Sequence, residues 1–240
     1  MGQKMSNKQK QNVHKEQHVL LLFEGYIRRM ERLLVSQQSV PPEIVRICVQ
    51  YYPLYIAYSG AFIKDNVPDT ITVINPHLIE LGRDAYKSAK LDTAIKMNHV
   101  AVYRWKMALS HTKPWSENLD NCDFIGVVSD RCNNIGRAPW GSLIDCYGIS
   151  GVAPYVYLGT SDKFQKDTKF ETTLINKQIV IIELDCDAEE ITFKLEEDQS
   201  NESERVIYGP LKLPKRDAWY PAVSLTFGKY SYQCEFIECE

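Results

Sequence analysis

The chain shows two patterns of apolar residues, a helical period near the N-terminus and a strand period after it. Between Val19 and Leu34 apolar residues recur every three or four positions, with charged residues between them. This spacing predicts an amphipathic helix. In the next stretch, "PPEIVRICVQYYP", two prolines favour a helix start and Pro53 ends the helix. The sequence therefore predicts an α-helical hairpin over residues 17–53.

After Pro53 the apolar residues form short β-branched and aromatic runs separated by Gly, Pro, Asn and Asp, which is typical of strands. The runs are "LYIAYSGAF", "TITVINP", "VAVYRWKMALS", "DFIGVVSD", "DCYGISG", "YVYLGT", "IVIIELD", "EITFKLEE", "ERVIYGP", "YPAVSLTF" and "YSYQCEFI". The stretch "LIELGRDAYKSAKLDTA" lies between them and is predicted to be a loop with one turn. So many short strands predict a mainly β protein, an antiparallel β-sandwich or barrel over residues 54–240.

Several of these strands carry specific motifs: "YRWKMAL", "FIGVVSD", "CYGIS", "IVIIELDCDAEEITFKL" and "WYPAVSL". In this order they resemble the SPRY or B30.2 family, which implies a concanavalin-like β-sandwich. The resemblance covers residues 54–238 and is strongest from Tyr103 onward. The stretch "DCDAEE" is predicted to be a hairpin turn, and Pro221 is predicted to open the closing strand, where its missing N–H does least harm. The acidic segment "EEDQSNESER" is longer than the family's usual hairpin tip, and no PRY half is recognisable.

The resemblance implies a partner site built from loops at one edge of the sandwich. Trp, Tyr and Arg dominate interface hot spots, so aromatic residues at strand ends are the candidates. The predicted partner-binding residues are Trp115, Arg131, Asn133, Trp140, Tyr155, Tyr157 and Trp219. The alternative for each ring is that it only plugs an open end of the sandwich.

The N-terminus, "MGQKMS", matches the pattern for N-myristoylation at Gly2. One acyl chain binds membranes only marginally, so nearby cations would act as a second, electrostatic signal for an anionic membrane surface. Those cations are Lys4, Lys8, Lys10 and Lys15. Residues 1–16 are thus predicted to be a basic flexible tail. The alternative is a chance pattern with solvated lysines.

The sequence offers little catalytic or metal-binding chemistry. It contains no Walker pattern, no HExxH motif and no Gly-rich phosphate loop, so we expect neither an enzyme nor a cofactor. His14 and His18 are spaced for one metal ion but have no third ligand nearby, and the acidic "ELDCDAEE" lacks the EF-hand spacing for Ca²⁺. Cys132 has no His within its motif to activate it.

Composition narrows the setting. The seven cysteines form no CxxC pair, which favours reduced, intracellular thiols. The formal net charge of −3 is not that of a typical nucleic-acid binder. No apolar run approaches the roughly 20 residues needed to span a bilayer. We therefore expect a cytoplasmic protein that does not bind nucleic acid.

These observations predict a non-catalytic adaptor that binds a protein or peptide partner through the loops of its sandwich, with the N-terminus as a peripheral membrane tether. One alternative is a structural component of a cytoskeletal or ciliary assembly, docked by the helix Val19 to Leu34. Another is a substrate-recognition subunit of a ubiquitin ligase, because "VPPEIVRICVQYYP" faintly resembles the start of an F-box. Exposure or burial of Ile44, Ile47 and Tyr51 would discriminate this last alternative.

Overall fold

A computed structural model describes residues 54–81, 87–97, 101–114, 116–119, 123–132, 145–159, 165–197, 204–225 and 230–237. All of them belong to one compact unit, Leu54–Glu240. The basic tail and helical hairpin predicted for residues 1–53 lie outside the described residues. The strands are β1 (Leu54–Ala57), β2 (Ile71–Asn75), β3 (Leu78–Leu81), β4 (Lys87–Lys90), β5 (Ile95–Lys96), β6 (Ala101–His111), β7 (Phe124–Ser129), β8 (Cys146–Ser150), β9 (Tyr155–Gly159), β10 (Gln165–Lys166), β11 (Ile179–Asp185), β12 (Glu190–Glu196), β13 (Glu204–Lys212), β14 (Ala218–Leu225) and β15 (Tyr232–Ile237). A single 3-10 turn, Lys64–Asn66, precedes β2.

The described strands form two sheets. Sheet A has the order β13-β12-β11-β6-β15-β3-β2, and β1 joins it by pairing in parallel with β6. Sheet B has the order β10-β9-β8-β7-β14-β4, and β5 pairs with β14. Every pairing other than that of β1 with β6 is antiparallel. The predicted mainly β, antiparallel fold is therefore confirmed.

Alternating apolar residues build the core. In β12, Ile191, Phe193 and Leu195 are buried, and the residues between them are partly exposed. This is the two-residue period expected of a strand with one buried face. The same rule buries Trp105 on β6 and Phe236 on β15, and these side chains join one apolar cluster. Burial of this large apolar area is the main stabilising contribution to the fold.

The acidic stretch between β11 and β12 forms the predicted turn. The side-chain Oδ1 of Asp185 accepts hydrogen bonds from the backbone N–H groups of Asp187 (2.9 Å) and Ala188 (2.8 Å). An aspartate that bonds to the backbone two residues later stabilises a turn in this way. Within the described residues, no group of three or more His, Cys, Asp or Glu side chains is placed to hold a metal ion.

The stretch predicted to be a loop contains two strands. β3 buries Ile79 and Leu81 between β2 and β15, and β4 buries Ser88 and Ala89 beside β14. The prediction was wrong because the strands are only four residues long and carry charged residues at partly exposed positions. Short strands with so few apolar residues have a weak periodic signal.

Pro221 lies inside β14 rather than at its start, which corrects a second prediction. β14 begins at Ala218. Trp219 pairs with β5 and Ala222 pairs with β4, so Pro221 lies opposite the gap between β5 and β4. The Pro221 carbonyl accepts a hydrogen bond from the Leu91 N–H at 3.0 Å. Because the N–H and C=O groups of a strand residue point to the same side, the N–H that proline lacks would also face this gap. An interior proline is tolerated here because no ladder donor is needed.

Strand β7 is buried over its whole length. Ile125 and Val127 face the main core, whereas Phe124 and Val128 belong to a second apolar cluster on the opposite face of sheet B. The other members of this second cluster are Cys132, Cys146, Tyr157 and Ala222, with the partly buried Tyr220 against them. Sheet B is therefore apolar and buried on both faces at its centre.

A glycine lets β7 and β8 approach each other. A Cβ atom at Gly126 would overlap the carbonyl oxygen of Tyr147 and stand 2.6 Å from the Cα atom of Gly148. Both neighbours are backbone atoms, which cannot turn aside as a side chain would. Gly126 is therefore required for the spacing of the two strands.

An ion pair lies at the end of sheet B where β7 ends and β8 begins. Asp145, just before β8, is a buried carboxylate whose side chain is 5% exposed. Arg216 donates two hydrogen bonds to it, Nε to Oδ2 at 2.8 Å and a terminal nitrogen to Oδ1 at 3.0 Å. Asp145 has a φ of 53°, a left-handed conformation that Asp and Asn adopt more readily than most residues. The hydrogen bonds from Arg216 lower the pKa of Asp145, so the pair is ionised at neutral pH.

We expect Gly126→Ala to destabilise the protein by about 3 kcal/mol, because the new methyl group forces two backbones apart. The measurement is urea unfolding of the full chain. Thr72→Ala, at an exposed site on β2, is the control and should change stability by less than about 0.5 kcal/mol. Equal stability of the two variants would show that β7 and β8 are not held at the spacing described.

We expect Arg216→Ala to cost about 3 kcal/mol, because it leaves the Asp145 carboxylate buried without its cation. Asp145→Asn should cost less, since the Arg216 side chain is already 19% exposed and can turn to water. Urea unfolding at pH 7 compares the two.

The same pair predicts acid sensitivity. Because folding lowers the pKa of Asp145, its stabilisation is fully present above the ordinary Asp value, about pH 4. It is lost as the pH falls through the lowered native value. Wild type should therefore lose more stability below pH 4 than Asp145→Asn. Parallel pH curves for the two proteins would contradict this role.

Candidate interaction surface

The structure places two of the predicted partner-binding residues, Arg131 and Tyr155, at opposite ends of sheet B. Arg131 is exposed in the turn after β7. Tyr155 begins β9, and because its neighbour Val156 pairs with Ile149, it lies at the end where β7 starts. The five residue steps of β7 separate these ends by about 17 Å. Arg131 and Tyr155 therefore do not form one compact site.

Two of the predicted residues are core residues. Tyr157 and Trp219 are both 0% exposed, which corrects their assignment to a partner surface. Tyr157 packs edge-on against Phe124, with ring centroids 6.1 Å apart, and Trp219 packs edge-on against Tyr147 at 5.5 Å. Tyr157 lies on β9 and Trp219 on β14, and sheet B has an apolar cluster on each of its faces. A ring on either face of these strands is therefore buried.

The remaining predictions for this surface and for the tail cannot be placed. Trp115, Asn133 and Trp140 lie outside the described residues, as do Gly2 and the four N-terminal lysines. The partner-binding assignment of the first three and the lipidation of Gly2 stay predictions.

The turn that carries Arg131 is held by a hydrogen-bond network. The Arg131 N–H donates to Ser129 Oγ at 3.1 Å, and the Cys132 N–H donates to the Ser129 carbonyl at 3.1 Å. The Asp130 N–H donates to the Ala218 carbonyl on β14 at 3.0 Å. Ser129 is also bound to the backbone of Asp145, the acid of the Asp145–Arg216 pair, because its N–H donates to the Asp145 carbonyl at 3.0 Å. The backbone beneath Arg131 is thus tied to β8 and β14.

Two further cations lie in the electrostatic field of this turn. Lys90 stands on β4 with Nζ 4.0 Å from the centre of the Tyr220 ring, a cation–π contact. Burial lowers the pKa of Lys90, and the nearby Asp130 partly opposes that effect. Asp130 also acts on the guanidinium of Arg216. We call Lys90, Asp130, Arg131 and Arg216 the Arg131 rim.

The sequence pointed to only one member of this rim. Arg216 precedes the closing motif "WYPAVSL" by three residues and Lys90 lies in the stretch predicted to be a loop. Arg216 lies 71 positions from Asp145 along the chain, so only the tertiary structure brings them together. The one available signal was the charged "PKRDAW" directly before a buried strand.

The charged outer face of sheet A is paired within itself. Glu183 accepts from Arg104 at 3.1 Å and from Lys194 at 2.7 Å, and Lys106 pairs with Glu196 at 2.7 Å. Arg104 also pairs with Glu204. These pairs account for Glu183, Glu196 and Glu204, whereas Asp185 and Glu190 lie opposite each other on β11 and β12.

The described part of the chain contains four cysteines. Cys132, Cys146, Cys186 and Cys234 are buried. Burial raises the pKa of Cys146 and Cys234, and that of Cys186 to about 12, so these three thiols are protonated and unreactive at neutral pH.

A buried histidine lies at the end of β6. His111 is buried, with Nε2 2.9 Å from the Asn118 carbonyl oxygen, while Nδ1 accepts from the Lys113 N–H at 3.2 Å. These contacts hold the chain that follows β6.

Among the described residues no helix is long and apolar enough to span a membrane.

Comparison with known proteins rests on structure alone. No family model matches the sequence, and no curated protein matches it. The fold is similar to the SPRY domain of human HERC1, with a TM-score of 0.54 and 13% identity over 75% of this chain and 98% of that chain. It is similar to the PSpry domain of TRIM65, with a TM-score of 0.53 and 13% identity over 82% of this chain and 98% of that chain.

A plant protein shares the architecture. Arcelin-5, a lectin-like defence protein from Phaseolus vulgaris, has a TM-score of 0.51 and 11% identity over 75% of this chain and 95% of that chain. Identities this low establish a common fold and no common ligand. Together with the two antiparallel sheets, these similarities confirm the resemblance drawn from the sequence: the described part of the chain is a SPRY-like, concanavalin-like β-sandwich.

Proposed function

We propose that this chain is a non-catalytic protein-interaction module that binds a protein or peptide partner at the Arg131 rim. The observation that carries the proposal is the exposed Arg131 on a turn that Ser129 and the Asp145–Arg216 pair hold in place. A fixed turn loses little conformational entropy on binding, and preorganisation of this kind favours affinity. The SPRY-domain neighbours support a protein-interaction role of this general kind.

The chemistry of the rim indicates the kind of group that it binds. Arg131 is exposed, and a guanidinium binds carboxylates through paired hydrogen bonds and stacks on aromatic rings. Lys90 adds a second positive charge, whereas the charge of Arg216 is already paired with Asp145, and Asp130 is the acid within the rim. We infer a partner segment that presents an acidic or aromatic side chain to Arg131. On this proposal Tyr155, at the other end of sheet B, lies outside the contact.

The proposal also includes the predicted membrane tether, which would bring the interaction module to a membrane. Acylation at Gly2 with the nearby lysines would place the module at an anionic membrane. A Gly2→Ala variant that leaves the membrane fraction and lacks the myristoyl mass would support this part. An unmodified wild type would remove it without affecting the rim.

The test of the rim is partner capture by full-length variants followed by titration against the captured partner. Arg131→Glu should weaken binding by roughly 30-fold or more, because loss of a hot-spot arginine costs about 2 kcal/mol. It should shift the unfolding midpoint far less than Arg216→Ala does, since the Arg131 side chain is exposed and acts on Asp145 only through its charge. Arg205→Glu, at another exposed arginine on β13, is the matched control and should bind as wild type does.

A companion variant identifies the correct end of the sandwich. Tyr155→Ala should bind within about two-fold of wild type, because a residue outside an interface contributes little to affinity. If Tyr155→Ala loses the partner and Arg131→Glu retains it, the binding end is the opposite one and the proposal is wrong.

A further inference from the structure

The free edges of the two sheets differ in how they are protected. An edge strand presents unpaired backbone N–H and C=O groups, and proteins usually protect such an edge by short strands, charged residues or proline. β13, at one edge of sheet A, carries Glu204, Arg205, Pro210 and Lys212. At the edges of sheet B, β10 and β5 have two residues each, and β4 begins and ends with lysine.

Among the described residues the opposite edge of sheet A has no charged residue or proline, although its Ile71 N–H already donates to the Pro68 carbonyl at 2.9 Å. β2 reads "ITVIN", with five uncharged residues, and pairs only with β3 among the described strands. Thr72, Ile74 and Asn75 are exposed, and Ile74 reaches 48%. The pairing with β3 is irregular after Val73, but the first three residues of β2 keep a regular register. β1 is also uncharged, but it has only four residues.

We propose that the free edge of β2 binds an extended segment of a partner protein as an added strand. The backbone of β2 decides the class of occupant, because only an extended chain supplies donors and acceptors at matching spacing. This contact is independent of the Arg131 rim, which lies on sheet B.

The small size of the edge favours a peptide segment over a second copy of the chain. Five residues span about 17 Å, and strand pairing of that length between two rigid sandwiches buries much less than the roughly 1,200 Å² of a standard interface. A peptide can continue past the end of β2. There it meets a groove lined by Asn75, Pro76, His77, Glu235, Phe236 and Ile237.

The residues along this path specify the peptide. Ile74 offers an exposed apolar contact, so a β-branched residue suits the opposite position. Glu235 is exposed at the groove. A lysine or arginine that follows the β-branched residue of the peptide would therefore pair with the Glu235 carboxylate. The occupant is therefore an uncharged, β-branched segment followed by a basic residue.

The probe is an acetylated and amidated octapeptide of alternating valine and threonine with a lysine at each end, titrated into the full-length protein. Its matched control carries N-methyl groups at alternate residues, which keep the side chains but block strand pairing along one edge. Amide NMR shifts should be confined to Ile71–Asn75 and the groove. The methylated peptide should not bind.

Variants at the two edges of sheet A complete the test. Ile74→Lys adds a charge to the β2 edge and should weaken peptide binding by about ten-fold or more. Val206→Lys makes the same change on β13, where Val206 is 53% exposed, and should bind within about two-fold of wild type.

Three results would overturn the proposal. The first is the absence of β2 amide shifts at millimolar peptide, and the second is equal binding of the methylated peptide. The third is a concentration-dependent dimer, seen by sedimentation, that Ile74→Lys abolishes, because that result assigns the edge to a second copy of this chain. None of these measurements depends on the Arg131 rim, so either proposal can fail alone.

Discussion

Burial of β7 on both faces is the constraint on which the rest of sheet B depends. A strand between two apolar clusters cannot shift by one residue to expose a polar face, because it has none. Its neighbours must match it, and they do so with small residues. Gly126 lies beside Ala222 on one side and Gly148 on the other. The strand therefore fixes the register of β8 and β14, and with it the position of the turn at its end.

The same constraint explains why charge collects at the end of β7. An apolar strand must reach solvent where the chain turns, and Asp130 and Arg131 are the first exposed residues after it. The carboxylate of Asp145 stands just inside that boundary, where an unpaired charge would be costly. Arg216 reaches it from the segment before β14 and ties the turn to a second strand. The ion pair thus ties the turn to β14, and removal of one partner leaves a costly buried charge.

The sequence predicted the parts of the fold in which one face is buried. The alternation in β12 and the aspartate turn before it are local signals, and both appear in the structure as predicted. Local signals failed where burial depends on distant partners. Ser88 and Ala89 on β4 are buried only because β14 lies beside them. Tyr157 and Trp219 looked like surface aromatics because the sequence does not show that sheet B is covered on both sides.

The site was harder to predict than the fold for the same reason. Arg131 could be singled out because it follows a strand motif directly. Its support could not, since Asp145 and Arg216 are far apart in sequence. The prediction that loop aromatics share one edge came from the family resemblance, which does not show which strand ends of this chain lie together. In an antiparallel sheet successive connections alternate between the two ends of the strands. The turn after β7 and the start of β9 therefore lie at opposite ends of sheet B.

The distribution of charge over sheet A leads to one further step. On β6, β11 and β12 the cations Arg104, Lys106 and Lys194 are paired with glutamates, while Asp185 and Glu190 lie opposite each other on the same face. The uncharged β2 lies at the edge of the same sheet, beyond β15 and β3. A backbone edge recognises shape and hydrogen-bond spacing rather than charge. On the two proposals above, recognition of an extended chain at the β2 edge and recognition of a side chain at the Arg131 rim fall on different sheets, so neither contact needs the other to be occupied.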